Sequence, residues 1–166
     1  MGVRTVGCVL VRNEDAFVEQ AIRNVAGFCD VIHVVDHVSR DRTWEIVKTL
    51  ASDLPNVDAR RCRNSAVAHR LLEQYAGTPT WVLGVDGDEL FDPSGLARLR
   101  LDLECGAHDA VFRLKAHVLN CDVLDRGART GSRFEHEPAD LVTARQNGKL
   151  GAFAWKLQLP VREVVH

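Results

Sequence analysis

The sequence predicts an α/β fold in which helices flank a mostly parallel β-sheet. Apolar runs rich in β-branched residues, at 6–11 and 81–85, are typical of strands buried on both faces. Amphipathic segments separate such runs, as expected of helices that connect parallel strands. A sheet of this kind places its ligand crevice at the carboxyl ends of its strands.

The first unit begins with the strand at residues 6–11 and continues into a helix. Asn13 is a favourable N-cap residue, and Glu14 and Asp15 in the first turn suit the positive end of the helix dipole. Gly27 is suited to end the helix. The apolar residues expected on one face of this helix are Phe17, Ala21, Val25 and Phe28.

The second unit consists of a strand at residues 30–36 and a helix that Asp41 is expected to cap. Its apolar residues are Trp44, Val47 and Leu50. A weaker strand signal follows at residues 57–59, and a helix is predicted over residues 65–76. The alternation of strand and helix therefore continues through the middle of the chain.

The segment after the strand at 81–85 begins with four residues, DGDE, and then a well-marked helix start. Asp92 is a favourable N-cap and Pro93 suits the first helical position. The leucines spaced to pack inward are Leu96, Leu99 and Leu103. Residues 110–118 alternate like a strand with one polar face.

The last part of the chain is less regular. Residues 120–138 are polar, Arg-rich and contain glycine, which predicts a functional or poorly ordered loop. Short strands are expected near Leu141 and Phe153. We therefore divide a single domain into a core at residues 1–119 and a loop-rich region at residues 120–166.

Composition and charge exclude several classes of protein. The 166 residues are 46% apolar and 27% charged, as in an ordinary globular domain. A net charge of -2 gives no basic field, so nucleic acid is not an expected partner. No apolar stretch approaches the roughly 20 residues of a membrane span, and the start carries no export signal. Five cysteines without a CxxC pair favour a reducing cytoplasm over a zinc ribbon or a disulfide framework.

The segment DGDE carries the clearest chemical signal. Asp86 and Asp88 follow a buried strand, and Gly87 lets the backbone turn between them. Two such carboxylates suit a hard cation, Mn2+ or Mg2+, which would bridge the phosphates of a nucleoside diphosphate and stabilise the leaving group. A solvated acidic turn is the alternative. The position after a strand, with Asp36 at another strand end, favours the metal site.

Three blocks of sequence together resemble the family 2 glycosyltransferases. The resemblance covers roughly residues 3–93, and the blocks follow the family's order: VGCVLVRNEDAFVEQAIRNV, DVIHVVDHVSRDRTWEIV and WVLGVDGDELFDP. The specific features are the NE pair, the DxxSxDxT phrase and the DxDE phrase. The resemblance implies the GT-A fold, a Rossmann-like sheet, and transfer of a sugar from a nucleotide-sugar donor, most often a UDP-sugar, to a glycan or glycolipid acceptor.

The resemblance also implies roles for residues around the donor. Asn13 and Glu14, with the backbone near Val11, would line the nucleotide pocket, and Asp36 would recognise the base. Helix capping alone would also explain Asn13 and Glu14, and a strand-end turn would explain Asp36. Asp41 and Thr43, which are the last two members of the DxxSxDxT phrase, are expected to shape the loop and the helix start.

Further residues are implied for the metal and the diphosphate. Asp88 would be the chief metal ligand and a catalytic residue, assisted by Asp86, and His166 resembles a later histidine that approaches the metal. Arg63 beside Asn64, or Arg70 beside His69, would meet the diphosphate. A solvated surface role is the alternative for either arginine.

Inverting transfer requires a carboxylate that deprotonates the acceptor hydroxyl. Glu137, within the phrase FEHEP, is the first candidate for this catalytic base, and Glu135 or Asp140 could replace it. An ordinary charged loop that includes His136 is the alternative reading of this segment.

The leading expectation is thus a metal-dependent, inverting glycosyltransferase of the cytoplasm that acts in polysaccharide or glycolipid synthesis. The core at 1–119 would bind the donor, and the region at 120–166 would face the acceptor. Family members continue beyond this length, so a truncated or noncatalytic nucleotide-sugar-binding domain is the alternative. Peripheral membrane contact, the oligomeric state, the sugar and the acceptor stay open.

Two other α/β classes fit the sequence less well. A nucleotidyltransferase would carry a Gly-rich, basic loop after the first strand, where this chain has VRNEDAF. A receiver-like signalling domain would cluster acidic residues at the end of the first strand. Glu14 and Asp15 lie in a helix start instead.

Overall fold

The computed structural model describes residues 2–64 and 66–115 and the backbone of one strand near the end of the chain. Its elements, in chain order, are β1 (Arg4–Val11), α1 (Val18–Ala26), β2 (Val31–Asp36), α2 (Thr43–Asp53), β3 (Val57–Arg61), α3 (Ala66–Glu73), β4 (Thr80–Asp86), α4 (Pro93–Glu104), β5 (Arg113–Lys115) and β6 (Phe153–Lys156). This alternation confirms the predicted α/β fold.

The strands form one sheet in the order β3-β2-β1-β4-β6-β5. The pairings from β3 to β4 are parallel, whereas β6 runs antiparallel to both of its neighbours, so the sheet is mostly parallel as predicted. Chain order reverses on the two sides of β1, which makes the gap between β1 and β4 a topological switch point. The register pairs Val11 with Asp36 and Leu10 with Asp86. The ends of β1, β2 and β4 therefore meet at one edge, called here the carboxyl edge.

Apolar packing covers the two faces of the sheet unequally. On one face, Val9, Val34 and Leu83 lie in a large core cluster with buried residues of α1, α2 and α4. On the other face, Val6 and Val82 pack with Tyr75 in a smaller cluster near α3. Removal of these side chains from water is the main force that holds the helices to the sheet. Among the helices that the structure describes, none is long and apolar enough to cross a bilayer.

The helix α4 is anchored at both ends. Asp92 caps its start as predicted, because its carboxylate accepts from two main-chain N–H groups of the first turn. Near its end, Arg100 Nη1 donates to Phe28 O at 3.1 Å and to Asp30 Oδ2 at 3.2 Å. Burial opposes ionisation of Asp30, but hydrogen bonds from Thr5 N and Arg100 hold the pKa of this carboxyl below its ordinary value of 3.8.

Three expectations about α1 and the strand after α4 need correction. Asn13 does not cap α1, which begins only at Val18, because Asn13 has a left-handed backbone with φ 58°. Phe17 consequently lies at the N-cap position, 39% exposed, rather than on the buried face. The strand expected at 110–118 covers only Arg113–Lys115 within the described residues, since turns follow α4 as far as residue 110.

Candidate functional site at the carboxyl edge

The loop after β1, residues 12–17, is held by side chains from the loop after β2, residues 37–42, and from the start of α2. Three side-chain oxygens each accept a main-chain N–H: Ser39 Oγ from Asn13 at 3.0 Å, Thr43 Oγ1 from Glu14 at 2.8 Å and Asp41 Oδ2 from Asp15 at 3.2 Å. Thr43 Oγ1 also donates to Asp41 Oδ1 at 2.6 Å. Asp41 and Thr43 therefore shape the loop, as expected from the sequence. The helix α2 itself begins at Thr43, and Arg42 occupies the N-cap position that was expected for Asp41.

Asn13 closes the same connection from the other side. Its Oδ1 accepts from Arg40 N at 2.8 Å, while its own N–H donates to Ser39. His37 N donates to Val11 O at 2.9 Å, which extends the pairing of β1 and β2 by one residue. The two loops thus form one connected unit at the carboxyl edge.

Asp36 is the buried anchor of this unit. Its carboxylate is fully buried, accepts from Ser39 N at 3.2 Å through both oxygens, and lies 3.0 Å from Arg61 Nε. Arg61 Nη2 donates to Ser39 O at 2.5 Å, and its guanidinium lies 5.8 Å from the Trp44 ring centroid. Sequence reasoning missed Arg61. The contact arises from the parallel register of β2 and β3, which pairs Asp36 with Arg61, and no pattern within either strand indicates it.

The DGDE segment forms a turn directly after β4. Glu89 N donates to Asp86 O at 3.0 Å, and Asp86 N donates to Glu89 Oε2 at 3.1 Å, so Glu89 closes the turn. The side chains of Asp86 and Asp88 are exposed, whereas Gly87 between them is buried. The turn therefore presents two carboxylates at the switch point between β1 and β4.

Glu14 connects the DGDE turn to the loop after β1. A Cβ atom at Gly87 would overlap Glu14 Oε2, so the two residues are in close contact. That oxygen is buried without a hydrogen-bond partner. Burial is the main cause that raises the pKa of Glu14 to about 7, and the charge of Asp88 is the second cause. Negative potential is thus concentrated where the two aspartates are presented.

The described residues could supply only part of the coordination shell of a divalent cation. No three His, Cys, Asp or Glu residues within the described ranges are placed to hold a metal ion together. Mg2+ and Mn2+ are nevertheless commonly bound by one or two carboxylates, with water and substrate phosphates completing the shell. Asp86 and Asp88 suit that arrangement, and the buried Glu14 Oε2 beside the turn has no hydrogen-bond partner. His166, Glu137, Glu135, His136 and Asp140 lie outside the described residues.

The two candidate arginines differ in position. Arg63 follows β3, and its carbonyl oxygen accepts from His37 Nε2 at 2.7 Å, which holds residue 63 near the carboxyl edge. Its side chain is exposed. Arg70 is also exposed, on α3, and none of the described hydrogen bonds or ion pairs connects it to the edge. A described contact therefore places residue 63 at the carboxyl edge, and none of the described contacts does so for Arg70.

A cavity of about 300 Å³ opens at the opposite edge of the sheet. It is lined by Asp30, Val31, Pro55, Asn56, Val57 and Asp58. These residues lie at the starts of β2 and β3 and include none of the predicted site residues. The residues to which the sequence assigns chemistry lie instead at the carboxyl edge.

The fold and this edge define an α/β domain with a pair of exposed carboxylates at a topological switch point. The chain also matches Glycosyl transferase family 2 over residues 8–156. Because this match covers most of the chain, the protein belongs to that family. The resemblance of its three sequence blocks is therefore confirmed.

Solved structures share the fold. S. aureus TarS 1-349 in complex with UDP is 18% identical, with a TM-score of 0.51 over 63% of this chain and 33% of that chain. The mannosyltransferase PcManGT from Pyrobaculum calidifontis, in complex with GDP-Man and Mn2+, is 21% identical, with a TM-score of 0.54 over 70% and 36%. These likenesses show the GT-A fold, and the chain spans about a third of the length of each. No curated protein matches the sequence significantly.

Proposed function

We propose that this chain is the donor-binding part of a metal-dependent glycosyltransferase that transfers a sugar from a UDP-sugar. The observation that carries the proposal is the DGDE turn, which presents Asp86 and Asp88 at the switch point between β1 and β4. Ligands of open α/β sheets bind in the crevice at such a point. Membership of Glycosyl transferase family 2 supports the type of reaction.

In this proposal the nucleotide lies against the loops after β1 and β2. Asn13 and Glu14 line its pocket together with the backbone near Val11, and Asp36 contributes to recognition of the base. Because Asp36 is fully buried and paired with Arg61, it acts mainly through the loop that it fixes, and direct contact with a base requires that loop to open. Arg63 or Arg70 neutralises the diphosphate.

Asp86 and Asp88 would hold Mn2+ or Mg2+, and His166 is the proposed additional ligand. When bound, such an ion neutralises charge that develops on the leaving diphosphate. Support for a metal comes from PcManGT, which was solved with GDP-Man and Mn2+. Support for uracil comes from TarS, which was solved with UDP.

The acceptor half of the reaction is also a proposal. Glu137 deprotonates a hydroxyl of a glycan or glycolipid acceptor, and the sugar is transferred with inversion. We place this reaction in the cytoplasm. The four cysteines within the described ranges, Cys8, Cys29, Cys62 and Cys105, all carry free thiols, which suits a reducing compartment.

A noncatalytic nucleotide-sugar-binding domain is the second candidate. It requires only the residues proposed to bind the donor, such as Asn13, Asp86 and Asp88, which lie within the described part of the chain. This candidate binds the donor in the same way but transfers no sugar to any acceptor.

Calorimetric titration of UDP and GDP, with and without Mn2+, tests the proposal. We expect UDP binding that strengthens with Mn2+, and at least a tenfold loss of the Mn2+-dependent part in Asp88→Ala. Asp53→Ala is the matched control, because Asp53 is an exposed aspartate at the end of α2. Absence of nucleotide binding by the wild type would refute the proposal. Binding without hydrolysis or transfer of a UDP-sugar favours the noncatalytic candidate.

A further inference from the structure

Val38 has a backbone conformation that is unfavourable for its residue type. Its φ is 54°, in the left-handed region, and among the described non-glycine residues only Asn13 shares a positive φ. Asparagine tolerates this region because its short amide can bond locally, whereas a β-branched side chain there is an outlier. Valine thus occupies a position where glycine or asparagine would fit without strain.

The neighbours of Val38 impose this conformation. On one side, His37 donates from its backbone to Val11 O at 2.9 Å and from Nε2 to Arg63 O at 2.7 Å. On the other side, Ser39 donates to the buried Asp36 carboxylate and accepts from Asn13 N. Both flanking residues are fixed by contacts of their own, so residue 38 cannot relax.

Val38 is also an apolar side chain exposed at the carboxyl edge. It is 36% exposed, whereas Asp36 and Ser39 on the same loop are 0% and 3% exposed. Nucleotide pockets combine apolar surface with a few polar groups, and strained residues are concentrated at binding sites. Asp36 is withdrawn from the surface, and Val38 is the apolar side chain that this loop offers to a ligand.

We propose that Val38 is a specificity-determining residue that packs its isopropyl group against the nucleoside of the donor. This inference rests on the proposed function, because it assigns a role within the same nucleotide pocket. It goes beyond that function because it names one contact, between Val38 and the nucleoside, at a residue whose backbone is in an unfavourable conformation.

The test compares Val38→Gly, Val38→Ala and Val38→Ile by thermal unfolding and by UDP titration in Mn2+. Val111→Gly and Val111→Ala are controls, because Val111 is 40% exposed, has no positive φ and follows α4 away from the carboxyl edge. We expect Val38→Gly to unfold about 2 °C above Val38→Ala, and the order to be reversed at Val111. UDP affinity should fall about tenfold in Val38→Gly and Val38→Ala, while Val38→Ile binds like the wild type.

A loss of affinity without a loss of stability separates a ligand contact from a structural role. Wild-type UDP affinity in Val38→Gly or Val38→Ala would overturn the inference and leave the proposed function intact. An equal loss in Val38→Ile would overturn it too, because the apolar group is retained there. If the wild type binds neither UDP nor GDP, the proposed function itself fails, and the role of Val38 fails with it.

Discussion

Substitution of Gly87 by alanine tests the packing that positions the DGDE turn. A Cβ at this position would overlap Glu14 Oε2 and would lie 2.8 Å from Val11 Cγ1 and 2.9 Å from Glu14 Cδ. Glu14 is partly exposed and can rotate away, but Val11 is 1% exposed within β1 and has little room to move. We therefore expect Gly87→Ala to lower the free energy of unfolding by about 1–3 kcal/mol, as other overpacked sites do.

Urea unfolding of the purified chain measures this effect. Gly27→Ala is the matched control, because no atom lies within 4 Å of its added Cβ and its φ is -78°. The control should be unchanged or stabilised by about 0.4–1 kcal/mol. Removal of the Glu14 side chain should recover part of the loss, so Glu14→Ala and Gly87→Ala should couple by at least about 0.5 kcal/mol. Equal stability of the two glycine variants, or zero coupling, would refute the described contact between Glu14 and the turn.

Substitutions at three further positions test the anchors of the fold. Asp30→Asn should destabilise the protein at neutral pH, because the Asp30 carboxylate stabilises the fold only while it is ionised. The difference in stability between wild type and Asp30→Asn should disappear as the pH falls below 3.8 and through the lowered pKa of Asp30 in the folded protein. Urea midpoints across pH 2–7 measure this difference. Asp92→Ala removes the cap of α4 and should cost about 1 kcal/mol in urea unfolding, with no change in the denaturant slope. Arg61→Met leaves the buried Asp36 carboxylate without its charge partner and should cost about 3 kcal/mol, whereas Arg61→Lys should cost less; equal losses would contradict a charge role.

Much of the fold could be predicted because its strands are marked by simple apolar runs. The strands β1, β2 and β4 lie within one or two residues of their predicted positions, and each is followed by polar residues at the carboxyl edge. DGDE was identified for the same reason, since a buried strand ends immediately before it. The resemblance of the three sequence blocks to Glycosyl transferase family 2 is also confirmed.

The contacts between loops could not be predicted from local patterns. Asn13 was interpreted as a helix cap because an Asn followed by acidic residues is a favourable helix start. Its side chain instead accepts from Arg40, which is 27 residues away in the sequence. The partnership of Asp36 with Arg61 likewise depends on which strands are neighbours and in what register. Sequence spacing within one element carries no information about either.

The NE pair and the DxxSxDxT phrase are joined by hydrogen bonds between the two loops that contain them. Ser39, Asp41 and Thr43 use their side chains to bind the main chain after β1, and Asp36 is buried beneath them. These polar groups already form hydrogen bonds within the protein, so few of their donors and acceptors are left for a ligand. Asp86, Asp88 and Val38 remain exposed at the carboxyl edge, and under the proposed function these are side chains that a bound nucleotide would meet. The hydrogen-bonding residues therefore fix the loops at the carboxyl edge, and under the proposed function the exposed side chains would determine what binds there.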